Sequence, residues 1–130
     1  MKATLGERFA RALAVKDGAA LRALLADRVD FRALTPGAHW DATIPEQIVD
    51  GIVLGHWFDS GDHIERLCSI RTGRVGDREH VSYRFRVRSG ADRFVVEQQA
   101  YYAAEDDRIT WMRVLCSGFR PEIRGGSGVG

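Results

Sequence analysis

The sequence has little cysteine and no long hydrophobic run. Its two cysteines, Cys68 and Cys116, are far apart and form no CxxC pair. This spacing argues against a disulfide framework and against a thiolate zinc site. No segment approaches the roughly 18 apolar residues of a membrane-spanning helix, and the start, MKATLGERFARAL, lacks the apolar run of a signal peptide. We therefore expect a cytoplasmic protein with no membrane partner.

The sequence also lacks a large net charge and lacks histidines at the spacing typical of metal ligands. The 19 basic and 18 acidic residues leave a net charge of +1, which argues against a protein built mainly to bind nucleic acid. The four histidines form neither an HxH nor an HExxH pattern, and no Gly-rich phosphate loop follows a strand-like segment. We expect no metal, no nucleotide cofactor and no nucleic-acid partner.

The length favours a single domain. The chain has 130 residues, of which 45% are apolar, and this is enough for one core but too short for two comfortable ones. We place the domain at residues 1–124 and a flexible Gly/Ser-rich tail at 125–130.

Helical periodicity dominates the first half of the chain. Leucines at helical spacing predict two helices within the first 28 residues, separated by the break KDG at 16–18. A short strand is expected at 29–34, followed by the turn TPG and a loop at 38–43. A third helix is expected at 44–58, with Thr43 as its cap.

A period of two begins at Asp62 and predicts an antiparallel meander. Hairpin signals separate four strand-like runs, which are Ile64 to Thr72, Glu79 to Arg88, Phe94 to Tyr102 and Ile109 to Ser117. In the second run, alternation points Val81, Tyr83, Phe85 and Val87 inward and the arginines Arg84, Arg86 and Arg88 outward. Helices followed by such a meander predict an α+β fold with helices on one side of a curved sheet.

The last run is apolar on both faces. One face carries Ile109, Trp111 and Leu115, and the other carries Met112, Val114 and Cys116. A strand covered on both sides in a small sheet indicates a partner subunit on its outer face. We therefore expect a homodimer through the last two strands.

This order of elements, together with the closing motif ITWMRVLCSGFRP, resembles the nuclear transport factor 2-like superfamily and in particular its SnoaL-like bacterial members. The resemblance spans roughly residues 5–121. It implies a cone-shaped, curved, mixed but mostly antiparallel sheet packed on three helices from the N-terminal half, a cystatin-like α+β barrel that is commonly dimeric. Members include ketosteroid isomerases, a scytalone dehydratase, limonene epoxide hydrolases and polyketide cyclases, beside many binding or structural proteins.

Comparison with the ketosteroid isomerases implies which residues face the pocket. In that register the pocket is lined by Met112, Val114 and Cys116 of the last strand. It is also lined by Glu97, Gln99 and Tyr101 of the preceding strand. Periodicity alone favours the opposite face of the preceding strand. The isomerases' catalytic residues do not carry over. Their general base is a carboxylate just before a proline, and this chain has Thr35 at that position. Their oxyanion acid corresponds to Gln99.

Glu97 is the strongest candidate for chemistry. A carboxylate inside an apolar cone loses hydration, which raises its pKa and suits it to general acid/base work. The alternative is a structural pair with an arginine, either Arg113 or one from a neighbouring strand. His56 shares the helical spacing of Ile48 and Ile52, and in the catalytic interpretation it relays a proton with Glu97. The alternative for His56 is a core or rim histidine.

The remaining candidates would bind substrate or assist. Tyr101 and Gln99 supply hydrogen bonds to a carbonyl or hydroxyl, unless they form a polar network without a ligand. His39, Trp40 and Asp41 lie where a pocket lid is expected, although Asp41 also suits a helix cap. Inward-facing Tyr83 joins Met112, Val114 and Cys116 as pocket lining, with Cys116 as an apolar filler.

These observations lead to two functional hypotheses. The first is a cofactor-free acid/base enzyme, namely an isomerase, dehydratase, cyclase or hydrolase, that acts on a small, mostly apolar oxygenated metabolite through Glu97, His56 and Tyr101. The second is a non-catalytic module of the same fold that binds a ligand or dimerises.

Overall fold

A computed structural model describes residues 3–122 of the chain. The tail expected at 125–130 lies outside these residues. In chain order the elements are α1 (Leu5–Ala14), α2 (Gly18–Ala23), β1 (Leu25–Thr35), β2 (Ala38–Ala42), α3 (Gln47–Trp57), β3 (Asp62–Val75), β4 (Arg78–Ser89), β5 (Asp92–Glu105), β6 (Arg108–Cys116) and β7 (Arg120–Pro121). Within residues 3–122, no helix is long and apolar enough to cross a membrane.

The strands form one curved mixed sheet in the order β2-β1-β6-β5-β4-β3. β1 and β6 run parallel, and the other paired strands run antiparallel. β7 pairs with the beginning of β5, beyond the point where β6 ends. The expected cone-shaped α+β fold, with its helices in the N-terminal half, is confirmed.

Side-chain caps explain where the first two helices begin. Thr4 Oγ1 accepts a hydrogen bond from the Glu7 amide at 3.0 Å, and Asp17 Oδ1 accepts one from the Ala20 amide at 3.0 Å. Such caps satisfy amides that have no partner inside a helix. The break expected at 16–18 is therefore a real boundary, and β1 follows α2 earlier than expected, at Leu25 rather than residue 29.

The prediction of a loop at 38–43 is wrong. Residues Ala38–Ala42 form the strand β2, which turns back at Pro36 and Gly37 and pairs antiparallel with β1. Gly37 adopts φ of 77°, a backbone conformation that favours glycine. This pairing satisfies backbone groups that a loop would leave to solvent. The sequence pattern did not indicate the strand because β2 has only five residues.

α3 is wound as a π-helix rather than as the expected α-helix. The Phe58 amide donates to the Val53 carbonyl at 2.9 Å, five residues earlier, as π-helical pairing requires. Gly55 permits this winding, because a Cβ there would overlap the Asp50 carbonyl oxygen. The helix begins at Gln47 rather than residue 44, and Thr43 does not cap it. The wider winding changes which side chains face the core.

Thr110 marks a bulge in β6 that separates Ile109 from Trp111. The β5–β6 register shifts between Ala103 and Ala104, so that Ala104 pairs with Ile109 and Ala103 with Trp111. Because a bulge adds one residue to one strand, it reverses the alternation of side chains. Ile109 is fully buried, and its expected place on the outer face with Trp111 and Leu115 is wrong.

Helix α1 lies close to the sheet because residue 6 is glycine. A Cβ on Gly6 would lie 2.7 Å from the Val81 Cβ and 2.9 Å from the Tyr102 hydroxyl. The Tyr102 hydroxyl accepts a hydrogen bond from the Gly6 amide at 2.8 Å. This buried bond fixes the beginning of α1 against β4 and β5.

We expect Gly6→Ala to lower the free energy of unfolding by about 1–3 kcal/mol, since the added methyl group overpacks this contact. Urea unfolding followed by circular dichroism measures the change. Gly73→Ala is the matched control, because a Cβ at Gly73 meets no atom within 4 Å among the described residues. Equal effects of the two substitutions would contradict a close-packed contact at Gly6.

Candidate functional site

The pairing of β5 decides which of its faces lines the interior of the cone. Val96, Gln98, Ala100 and Tyr102 are buried, with exposed fractions of 0–2%. Glu97, Gln99 and Tyr101 lie on the opposite, outer face. The pocket face taken from the ketosteroid isomerases is therefore wrong for β5, and periodicity alone was right. Met112, Val114 and Cys116 are all buried on the inner face of β6, and their contact with a ligand stays a prediction.

Glu97 is exposed and paired with an arginine. Its Oε2 lies 2.7 Å from Arg84 Nη2 and accepts a second hydrogen bond from Arg84 Nε at 3.0 Å. Just over half of each side chain is exposed, 51% for Arg84 and 54% for Glu97. The structure thus matches the alternative interpretation, a pair with an arginine from a neighbouring strand. The buried carboxylate on which a catalytic role for Glu97 depended is not found at this position.

Gln99 and Tyr101 form a polar network on the same outer face. Gln99 Oε1 lies 3.0 Å from His80 Nε2, and the Tyr101 ring stacks on the His80 ring with centroids 4.7 Å apart. His80 is on β4, directly opposite Tyr101 in the register. Neither Gln99 nor Tyr101 faces the interior. Gln99 lines a depression on the outer face instead, and contact of the two residues with a substrate stays a prediction.

His56 is exposed, and its expected place on the apolar face of α3 is wrong. The π-helical winding instead buries Ile48, Val49, Ile52, Val53 and Trp57. The expectation assumed the spacing of an α-helix, in which residues four apart share a face. His56 packs against Trp40 with ring centroids 4.6 Å apart, which makes it a rim histidine.

The three lid candidates lie on β2 rather than in a loop. His39 and Asp41 are exposed, whereas Trp40 is half-buried. Trp40 Nε1 donates to Thr35 Oγ1 at 2.9 Å, and its ring packs edge-on against Trp57 at 6.3 Å. Trp40 therefore closes the side of the core next to β1, and Asp41 does not cap α3.

A row of polar side chains crosses the interior on three adjacent strands. We call Tyr83, Gln98 and Cys116 the inner row. Gln98 pairs in register with Tyr83 on β4 and with Cys116 on β6. The Tyr83 hydroxyl donates to Gln98 Oε1 at 2.7 Å in a fully buried contact. Tyr83 and Cys116 were expected in the pocket lining, and Gln98 was missed.

Gln98 stands out because it is 1% exposed and, within residues 3–122, is the only buried residue with an amide or charged side chain. Its Oε1 is satisfied by Tyr83, but its Nε2 has no hydrogen-bond partner in the described part of the chain. Trp57 Nε1 and, on the outer side of β4, Arg86 Nε are in the same situation. Buried donors without acceptors are rare, and each destabilises the fold by about 1–3 kcal/mol. Gln98 Nε2 is therefore a candidate contact for an acceptor from outside the described residues.

On β1 and β6 the exposed fraction of the inward-facing side chains rises towards the C-terminal ends. Along β6 the exposed fraction rises from 0% at Met112 to 5% at Val114 and 8% at Cys116. On β1 it rises from 1% at Phe31 to 4% at Ala33. Because β1 and β6 are parallel neighbours, these ends meet at one edge of the sheet. Cys116 is the most exposed member of the inner row, at 8% against 2% for Tyr83 and 1% for Gln98.

The buried tyrosines of the interior carry no charge near neutral pH. Burial raises the pKa of Tyr83 far above its ordinary value, with the nearby Cys116 as a smaller cause. Burial also raises the pKa of Tyr102, against the lowering effect of the hydrogen bond from Gly6. Both hydroxyls keep their protons and act as hydrogen-bonding groups rather than as bases. Within residues 3–122, no group of three His, Cys, Asp or Glu side chains is placed to hold a metal ion.

A depression lies on the outer face of the sheet. This outer groove has a volume of about 670 Å³ and is lined by β3 to β6 and the residue after β6, among them Arg71, Arg84, Glu97, Gln99 and Leu115. Tyr83, Gln98 and Cys116 of the inner row also contribute atoms to its lining.

Solved structures share this architecture at low sequence identity. A proposed isomerase from Bacillus subtilis matches with a TM-score of 0.70 and 14% identity over 85% of this chain and 82% of its own. A proposed isomerase from Rhodopseudomonas palustris matches with a TM-score of 0.66 and 16% identity, over 91% and 93% of the two chains. The chain has the nuclear transport factor 2-like fold.

A third structure with the nuclear transport factor 2-like fold is an M. tuberculosis epoxide hydrolase described as LEH-like. It matches with a TM-score of 0.62 and 18% identity over 87% of this chain and 80% of its own. No protein-family model matches the chain, and no curated protein matches its sequence. At these identities the similarity shows the fold alone.

Stability at high pH should report on Tyr83. In the unfolded chain a tyrosine ionises near pH 10, whereas in the folded protein Tyr83 holds its proton, so stability is full below this pH and falls as pH rises. One such group contributes a slope of about 1.4 kcal/mol per pH unit above pH 10. We expect Tyr83→Phe to remove this contribution, measured by urea unfolding between pH 8 and 11. Tyr101→Phe, on the outer face, is the matched control, and an unchanged slope in Tyr83→Phe would contradict the burial.

Proposed function

We propose that the protein binds a small, mostly apolar molecule inside the cone, in contact with the inner row. The observation that carries this proposal is buried Gln98, whose amide nitrogen has no acceptor among residues 3–122. A polar side chain without a full set of partners is destabilising in a core, and a methionine of similar shape would pack there without that penalty. Such residues are commonly retained for function at some expense of stability.

The core around the inner row suits an apolar ligand. Tyr83 and Cys116 belong to one hydrophobic core with Phe31, Ala33, Trp57, Met112 and Val114. Ligand sites are typically lined by apolar and aromatic side chains with a few polar groups that fix orientation. Burial of apolar ligand surface would supply most of the affinity, at about 25 cal/mol per Å² before the cost of association.

An acid/base enzyme is the second candidate, supported by the names of the fold neighbours, which include isomerases and an epoxide hydrolase. Glu97, His56 and Tyr101, which we expected to be catalytic, lie outside the cone and would not reach a ligand there. Among the described residues, the buried set contains no carboxylate and no imidazole. Catalysis in the cone would therefore rely on the neutral Tyr83 hydroxyl and Gln98 amide, which polarise a carbonyl rather than remove a proton. This favours the binding proposal.

We also propose a homodimer through the outer faces of β5 and β6. Leu115 and its register partner Leu34 on β1 are both large and apolar, and they are 55% and 56% exposed. Trp111 lies two pairs along the same face. The guanidinium carbons of Arg78 and Arg113 lie over its ring, 4.2 and 4.4 Å from the ring centroid. Exposed apolar side chains that adjoin in one patch are typical of interaction surfaces. A second copy offers the same patch in a two-fold arrangement.

The Gln98 proposal is tested by replacing both members of its hydrogen bond. We expect the double variant Tyr83→Phe/Gln98→Met to be as stable as the original protein or more stable by about 1 kcal/mol, because removal of both partners leaves no unsatisfied group. Urea unfolding measures the change, and Gln99→Met on the outer face is the matched control. A loss above about 2 kcal/mol would show that Gln98 serves the fold rather than a ligand.

The dimer is tested by placing a charge in the apolar patch. We expect Leu115→Glu to convert a dimer to a monomer, since the carboxylate would be buried without a partner. Sedimentation velocity measures the oligomeric state. Val75→Glu on β3 is the matched control because Val75 is similarly apolar and 60% exposed. A monomeric original protein, or a Leu115→Glu variant that remains dimeric, would contradict the proposal.

A further inference from the structure

We propose that the outer groove binds a small organic monocarboxylate, with the carboxylate on Arg71 and an alkyl chain directed towards Leu115. The groove lies on the outer face of the sheet, so this site does not depend on a ligand inside the cone. Two features of the groove carry the proposal, namely the order of the side chains across it and the balance of charge in its lining.

One row of side chains lines the groove across four strands, and we call it the outer row. Register pairs join its members in the order Arg71 on β3, Ser82 on β4, Gln99 on β5 and Leu115 on β6. All four line the groove. Neighbouring strands lie about 4.8 Å apart, so the row spans about 14 Å. It runs from a cation, past a hydroxyl and an amide, to an apolar side chain that is 55% exposed.

Arg71 supplies a positive charge that the lining of the groove does not neutralise. Two arginines and one carboxylate line the groove. The carboxylate, Glu97, accepts hydrogen bonds from Arg84 at 2.7 and 3.0 Å and so offsets the charge of Arg84. Within residues 3–122, Arg71 takes part in no salt bridge and no side-chain hydrogen bond, although most arginines of this range pair with a carboxylate. The lining therefore matches a ligand with a single negative charge.

The two ends of the outer row determine the chemistry of the ligand. The planar guanidinium group of Arg71 presents N–H donors in a fixed fork, which a carboxylate accepts bidentately. A phosphate monoester carries close to two negative charges near neutral pH, more than the lining balances. At the other end, an alkyl chain laid against Leu115 removes apolar surface from water on both sides. A monocarboxylate with an alkyl chain satisfies both ends.

A second copy of the chain is the competing occupant, because Leu115 also belongs to the apolar patch of the proposed dimer. That patch continues from Leu115 to Leu34 on β1, in the direction away from Arg71. A two-fold contact centred on the groove would place its net positive charge against the same charge of the partner, which disfavours such a contact. The end of the groove at Arg71 is therefore better suited to an anion than to a second copy.

Four probes separate the contributions of charge and chain. Octanoate carries the carboxylate and the chain, octanamide is a neutral molecule of the same shape, acetate lacks the chain, and octyl phosphate carries the larger charge. Each is titrated into ¹⁵N-labelled protein at low ionic strength. The ¹H–¹⁵N spectra report on the Gln99 side-chain amide in the groove and on the Trp57 indole N–H in the interior.

We expect octanoate to shift the Gln99 signals to saturation and to bind about tenfold more tightly than octanamide or acetate. Octyl phosphate should bind no more tightly than octanoate. Added salt should reduce the preference for octanoate over octanamide, because the attraction to an exposed arginine is screened.

Two arginines of β3 provide a matched pair of variants. Arg66 is exposed like Arg71 and takes part in no salt bridge within residues 3–122, but it does not line the groove. Arg71→Gln should remove the preference for octanoate over octanamide, whereas Arg66→Gln should retain it. Both variants are expected to fold, because substitutions at exposed positions change stability little. Loss of the preference in Arg71→Gln alone supports the proposal.

The remaining outcomes each overturn a stated part of the proposal. Equal binding of octanoate and octanamide, or loss of the preference in both variants, overturns the contact with Arg71. Equal binding of acetate and octanoate overturns the role of Leu115, and tighter binding of octyl phosphate overturns the choice of a carboxylate.

Two results would assign the groove or the probe differently. Probes that shift the Trp57 signal and leave Gln99 unchanged bind inside the cone, which overturns the outer site while the proposed function stands. If no probe shifts Gln99 and Arg71→Gln dissociates a dimer in sedimentation velocity, the groove takes a second copy of the chain and the proposal is overturned.

Discussion

The register of β5 between β4 and β6 determines what the interior of this protein contains. Side chains alternate along a strand, and a shift of one residue would exchange the whole inner set for the outer set. In the observed register Gln98 faces inward between Tyr83 and Cys116, while Glu97 faces solvent and pairs with Arg84. The opposite register would bury Glu97 and expose Val96, Ala100 and Tyr102. The cost of burying a charge and exposing these apolar groups explains why it does not occur.

Two different surfaces result from this constraint. The inner surface is apolar apart from a short row of neutral hydrogen-bonding groups, and it is suited to a small neutral molecule. The outer surface has paired charges, the groove beside Arg71, and the exposed leucines of β1 and β6. It is suited to a partner subunit. A sheet with both faces engaged is expected in a small domain whose helices cover only one side.

Local chemistry was enough to predict most of the fold. The meander followed from a period of two and from turn residues, and alternation correctly placed Val81, Tyr83, Phe85 and Val87 inside. Three features of the fold could not be predicted in this way, because they depend on backbone geometry rather than on the pattern of side chains. These are the short strand β2, the π-helical winding of α3, and the bulge at Thr110. The π-helical winding of α3 also explains why His56 is exposed rather than in the core.

The site was predicted less well than the fold because its residues were transferred from a distant family. A catalytic carboxylate was sought on β5, and the resemblance suggested a register that placed Glu97 inside, although alternation favoured the opposite face. Gln98 was overlooked because it occupies one position in an otherwise apolar face, and nothing in its sequence neighbourhood distinguishes it from a surface glutamine. Trp57 was overlooked because an aromatic residue in a helix resembles ordinary core. Their significance depends on hydrogen-bond partners, which only three-dimensional coordinates provide.

The central claim is that Gln98, rather than Glu97, marks the functional interior. A high-resolution crystal structure of the purified protein, inspected around Gln98 Nε2, tests it most directly. The account predicts density for a bound acceptor about 3 Å from that nitrogen, on the inner side of the sheet. A Gln98 amide whose hydrogen bonds are all made within the protein, with the space beside it filled by side chains, would contradict the account.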